Sequence, residues 1–157
     1  MMKHPEGSSR RSMLKIAGAC TLGGVIGLPI ARQAAASPLQ ASIAQLIGDA
    51  KLNTGRVRLD IPPLVENGNT VPCTVSVESP MTPADYVKAI HIVSEKNPQP
   101  NVISVKLGPR AGRARLSTRI RLADTQTVVA LAEMSDGSFW SNRADVIITL
   151  GACLEEL

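Results

Sequence analysis

The chain has 157 residues, 44% of them hydrophobic and only 2% aromatic, with 17 Lys and Arg against 13 Asp and Glu. That length allows one ordinary domain and leaves little room for a second. A net charge of +4 and a pI near 9.3 invite a nucleic-acid reading, but the positive charge is concentrated at the front of the chain.

Lys3, Arg10, Arg11 and Lys15 come first, then an uncharged apolar run over 16–30 broken by glycines, then Ala34-Ala35-Ala36. Charged, apolar and small-residue segments in that order are the layout of a secretory signal. The run is shorter than the roughly 20 apolar residues a membrane span needs, so it predicts a removed leader and no membrane anchor in the mature protein. Ser9-Arg10-Arg11-Ser12-Met13-Leu14-Lys15 resembles the twin-arginine motif, which predicts export to the periplasm; an ordinary secretory signal is the alternative. Cleavage after Ala36 divides the chain into a signal over 1–36, a folded domain over 37–150 and a C-terminal arm over 151–157.

Cleavage removes Lys3, Arg10, Arg11, Lys15, Arg32 and Glu6, which leaves twelve basic and twelve acidic side chains. A neutral chain with one Phe, one Tyr and one Trp lacks both the charge and the stacking rings that nucleic-acid binding uses. Cys20 leaves with the signal, so Cys73 and Cys153 are the thiols of the mature protein.

Within 42–50, Ile43, Leu46 and Ile47 fall at helical spacing and predict one short helix. The period then changes to two. Residues 56–61 read as a strand closed by Pro62-Pro63, and Glu66-Asn67-Gly68-Asn69 reads as a turn. In 71–77, Val71, Cys73, Val75 and Val77 share one face and Thr74 and Ser76 the other. Further strands are predicted over 87–94, 102–107, 115–122, 127–134 and 138–150, the last either whole or interrupted near Asn142. Seven or so short strands and little helix predict an all-β fold, an immunoglobulin-like antiparallel sandwich with one N-terminal helix; a small barrel is the alternative.

Catalysis or metal binding needs convergent groups, and the mature chain has a single histidine. His91 lies on a predicted strand face with Val87, Ala89 and Val93, which suits a structural role better than ligation. No paired-histidine spacing, C-x-x-C, phosphate-cradling loop or G-x-S-x-G is present. These absences argue against a self-contained hydrolase or metalloenzyme. Cys73 shares its face with three valines and is expected to be a packed, inert thiol, with a bond to Cys153 as the alternative. Arg113, Arg115, Arg119 and Arg121 have one parity and Leu116, Ile120 and Leu122 the other, so the arginines form a stripe. Such a stripe is either a solvated face or a docking surface for an acidic partner. Cys153 follows the last strand on a short tail, and a sterically open thiol of that kind is the reactive kind. At roughly 3.3 Å per extended residue, the tail carries the sulfur about 10 Å beyond the sheet.

Glu66-Asn67-Gly68-Asn69-Thr70-Val71-Pro72, Lys96-Asn97-Pro98, Leu107-Gly108-Pro109-Arg110-Ala111-Gly112, Ser117-Thr118-Arg119-Ile120-Arg121-Leu122-Ala123 and Ser135-Asp136-Gly137-Ser138-Phe139-Trp140 together resemble the SoxY family. The resemblance spans nearly the whole mature chain. It implies an immunoglobulin-like fold, a twin-arginine signal and an obligate partner, SoxZ, exported with it as a heterodimer. It also implies a role as sulfur carrier of periplasmic thiosulfate oxidation, a substrate carrier that is not itself an enzyme and holds no metal or cofactor. The haem protein SoxXA couples thiosulfate to the arm cysteine, SoxB removes sulfate hydrolytically, and other Sox enzymes process the sulfur that remains. Cys153 would then hold the sulfur intermediate covalently. Two alternatives are a paralogue carrying another sulfur species and a scaffold in which the tail cysteine is dispensable.

The family arm reads Gly-Gly-Cys-Gly-Gly, whereas this one reads Gly151-Ala152-Cys153-Leu154-Glu155-Glu156-Leu157. Losing glycine narrows the accessible backbone and stiffens the arm. Leu154 adds bulk beside the sulfur. Glu155 and Glu156 raise the thiol pKa and repel an anionic substrate, an effect that salt screens over about 8 Å.

Overall fold

The computed structural model describes residues 37–151. The expected leader and arm residues 152–157 lie outside that span. Among the described residues, no helix is long and apolar enough to cross a membrane.

Helix α1 (Pro38–Ile47) begins four residues before its expected start. The reason is local: the Ser37 hydroxyl accepts the Gln40 N–H at 3.3 Å and Pro38 presets the first turn. It closes at Gly48, whose φ of 60° suits glycine and whose N–H returns to the Ala44 carbonyl.

Nine strands follow: β1 (Leu52–Thr54), β2 (Val57–Asp60), β3 (Leu64–Asn67), β4 (Val71–Val77), β5 (Val87–Ser94), β6 (Asn101–Lys106), β7 (Arg115–Ile120), β8 (Gln126–Met134) and β9 (Phe139–Leu150). One sheet runs β1-β9-β8-β5-β6, with β3 also paired to β9, and the other runs β2-β4-β7. The two pack face to face as an immunoglobulin-like sandwich. β2 stops at Asp60, short of the two prolines. Of the two readings for the last strand the whole one holds: the Asn142 backbone stays in register with Ala130 and its amide donates to the Val57 carbonyl.

β1 and β3 are additions to the expected pattern, and both run parallel to β9, with Leu52 opposite Phe139 and Leu64 opposite Ile147. Strands of three and four residues are too short to show alternation, and β3 takes up Glu66 and Asn67 from the expected turn. That turn is tightened by the Asn67 Oδ1, which accepts the Asn69 N–H at 2.9 Å.

The core lies between the sheets. β4 contributes Val71, Cys73, Val75 and Val77, which meet Ile90 and Ile92 of β5, Val128, Ala130 and Met134 of β8 and Val146 of β9. A bulge between Val87 and Ala89 turns Val87 into this core and away from the face of His91. On the outer face of the larger sheet, Val93, Val129 and Leu131 pack against Leu39, Ile43 and Leu46 of α1. Fully burying one such side chain contributes about 1.5–3 kcal/mol, and the three from α1, partly buried, contribute less each. Together they hold a helix of ten residues that is too short to persist alone in water.

Cys73 is a free thiol, 1% exposed. Burial, with Asp60 nearby, pushes its pKa up to about 11. At neutral pH it is a protonated, apolar packing group.

Candidate functional site

The backbone leaves the sandwich at the end of β9, and several elements fix that exit. The Gly68 N–H donates to the Leu150 carbonyl at 2.8 Å, and the Gly68 carbonyl accepts the Leu122 N–H at 2.9 Å. The Thr149 hydroxyl donates to the Glu66 carbonyl at 3.0 Å. The Thr125 hydroxyl accepts the Ile148 N–H at 3.0 Å. Leu150 and Leu122 are thus linked through one residue, which places them within about 10 Å of each other. Gly151, half-buried, is the last described residue. Cys153, Ala152, Leu154, Glu155 and Glu156 lie outside the described residues, so the structure places the root of the arm and not its thiol.

A second network holds the neighbouring loop. The Asn97 amide donates to the Arg121 carbonyl at 2.8 Å, while its oxygen accepts the Ala123 N–H at 2.9 Å and the Gln126 amide at 3.0 Å. Gln126, 4% exposed, uses its own oxygen to accept the Lys96 N–H at 2.8 Å. The Lys96 ammonium sits 3.1 Å from Asp124 and holds that carboxyl below its ordinary value. The β5–β6, β7–β8 and β3–β4 connections therefore meet beside the arm's root. Gly68 reads in the sequence only as a turn residue and Asn97 only as part of the Lys96-Asn97-Pro98 string. Their contribution here is a set of bonds to main-chain groups far away in sequence, which no motif records.

The arginine stripe is present as expected. Arg113, Arg115, Arg119 and Arg121 are all exposed, while Ile120 and Leu122 point into the core. Arg115 and Arg119 lie on β7, an edge of the smaller sheet, and Arg113 and Arg121 flank it. None of the four makes an ion pair with another described residue. Arg119 and Arg121 line a groove of about 430 Å³ whose far wall is β6.

His91 is half-buried, and its Nδ1 lies 2.7 Å from the Ser104 hydroxyl oxygen. Ser104 spends its own proton on Asn101 Oδ1 at 3.1 Å, so the ring N–H is the donor to serine. Burial lowers the His91 pKa, and the Glu133 charge opposes that only in part. The ring is a neutral, satisfied group of the sheet. Among the described residues there is no cluster of three or more His, Cys, Asp or Glu side chains placed to hold a metal.

The family described as "Sulfur oxidation protein SoxY" matches residues 43–153. The chain belongs to the SoxY family. Among solved structures, the sulfur carrier protein SoxY from Chlorobium limicola f thiosulfatophilum is 26% identical, with 71% of this chain and 96% of that one covered at a TM-score of 0.60. Superoxide reductase (Neelaredoxin) from Ignicoccus hospitalis is 16% identical, covering 60% of this chain and 80% of its own at a TM-score of 0.53. The superoxide reductase from Nanoarchaeum equitans is 10% identical, covering 61% and 100% at 0.52. The last two share the fold of this SoxY-family domain and nothing more. No curated protein sequence matches the chain.

The matched segment of this SoxY-family chain ends on Cys153, just past the root that Gly68 and Asn97 support. Replacing Asn97 with Ala strands the Arg121 carbonyl and the Ala123 N–H. The change is expected to cost about 1–2 kcal/mol, read as a lower urea midpoint with an unchanged slope. An unchanged midpoint would show that this network does not brace the loop.

Proposed function

We propose that this SoxY-family protein is a periplasmic sulfur carrier, exported by the twin-arginine route, whose Cys153 binds thiosulfate-derived sulfur covalently while partner enzymes perform the reactions. The observation that carries this reading is the family match itself, which extends to Cys153. The Chlorobium structure described as a sulfur carrier supports it. So does the division of labour between thiols: the other cysteine of the mature chain is buried, with a pKa near 11, and only a thiol on the arm is free to enter another protein.

Loading joins the Cys153 sulfur to the outer sulfur of thiosulfate. One S–S bond forms, the thiol proton is lost and two electrons pass to the haem protein SoxXA. Water then cleaves the bond between that outer sulfur and the sulfonate, as in the SoxB step, releasing sulfate and leaving a persulfide on Cys153. No base or metal of the carrier enters either step. Its part is to present the sulfur on a tail of about 10 Å from a fixed root.

The partner expected from the family is SoxZ. Leu64, Ile147 and Leu150 are 59%, 54% and 69% exposed, and all lie on β3 and β9 near the arm. A SoxZ-type subunit that covers them removes this apolar surface from water. Arg113 and Arg115 offer the transient enzymes a positive docking surface. A second reading rests on Leu154, Glu155 and Glu156, which put bulk and negative charge where the family has glycine. It makes the protein a paralogue that carries another sulfur species.

Incubation with thiosulfate, SoxXA and an oxidant is expected to give one reducible adduct by intact mass, absent from Cys153→Ser. Adduct on the Ser variant would refute the assignment. No adduct on the wild type, with one formed from another sulfur donor, would favour the paralogue. Co-expression with SoxZ should give a one-to-one complex in which Leu64→Asp weakens association at least tenfold, and a monodisperse monomer that ignores SoxZ would refute the partner.

A further inference from the structure

The groove between β6 and β7 has a mixed lining. Val102 and Ile103 give it an apolar floor beside the nearly buried Ile120, and Arg119, Arg121 and Asn97 are among the polar residues that line it. Both arginines are exposed and neither is paired with another described residue, so the charge they bring serves no contact inside the domain. The loop that carries Arg121 is tied to the arm's root, because Leu122 and Leu150 both bond to Gly68.

We infer that the C-terminal arm docks back into this groove, with Leu154 on the apolar floor and Glu155 and Glu156 against Arg119 and Arg121. The chain outside the described residues has the matching order, one apolar side chain followed by two acids. Reach is sufficient: Leu150 and Leu122 are within about 10 Å, and five extended residues bring Glu155 about 16 Å from Leu150. The other apolar surface near the root, around Leu64 and Ile147, is bordered by Glu66, whose charge repels the acids.

Docking holds Cys153 close to the sandwich and places arginine charge beside the carboxylates that would otherwise raise its pKa. An acidic partner surface that competes for Arg119 and Arg121 releases the arm. This deepens the carrier reading by adding control over presentation of the same thiol, yet the docking stands or falls separately from what Cys153 carries. Exposed ion pairs are individually weak, and two of them shift the docking equilibrium by about fivefold.

The test uses the full chain with Cys20→Ser, a nitroxide attached at Cys153 and methyl NMR, with Cys73 left unlabelled by its burial. At low salt the nitroxide is expected to broaden the Ile103 and Ile120 methyl signals more than those of Leu64. Arg119→Glu with Arg121→Glu should reduce that broadening about fivefold. Adding Glu155→Arg and Glu156→Arg to this variant should restore it, and the same spectra report that each variant is folded. Broadening that is equal at Leu64, or that ignores charge reversal and its rescue, would overturn the docking. A failed thiosulfate loading assay alters none of these outcomes.

Discussion

Gly68 makes two backbone hydrogen bonds, one to the last carbonyl of β9 and one to the first residue beyond Arg121. With the parallel pairing of β3 on β9, they turn the end of the longest strand into a fixed point. A tethered thiol is useful only if its origin is defined, since a loose root spreads the sulfur over many positions and lowers its effective concentration at any one of them. The remainder of the sandwich serves this constraint. The two-sheet core holds β9, α1 closes the outer face, and Asn97 and Gln126 brace the loop beside the exit.

Of the two cysteines that follow the expected leader, the structure describes only Cys73. Cys73 is surrounded by valines and isoleucines, and its ionised form is disfavoured by burial. Cys153 follows a glycine and an alanine on the arm. A thiol is reactive in proportion to its thiolate fraction and its access, so packing silences Cys73, and the proposed carrier chemistry falls to Cys153. The carrier reading then turns on the acids beside Cys153 and on whether Arg119 and Arg121 offset them.

Much of the fold was legible because the strands are runs of β-branched residues between turn signals, with strict inward alternation in β4. β4 and β5 occupy the spans their valines and isoleucines predict, and the arginines on and beside β7 face solvent as their parity requires. Local alternation says nothing about β1 and β3, which exist because β9 offers them a free edge. It also misses the bulge that moves Val87 into the core. The start of α1 was hidden because Ser37 caps the helix within a run of alanines. At the site, the expectation for Cys153 rests on its place in the sequence, since the arm beyond Gly151 lies outside the described residues. The residues that fix its root act through main-chain bonds across as many as 82 positions, from Gly68 to Leu150, and such bonds carry no side-chain signature.

The central claim is that the domain is an inert base and that sulfur chemistry is confined to Cys153. It is tested most directly by peptide-level mass spectrometry of the protein purified without reductant from cells oxidising thiosulfate. The account predicts added sulfur on the peptide containing Cys153, none on the peptide containing Cys73, and a mature N-terminus at Ser37. Sulfur on Cys73, or an unmodified Cys153 in cells actively oxidising thiosulfate, would contradict it.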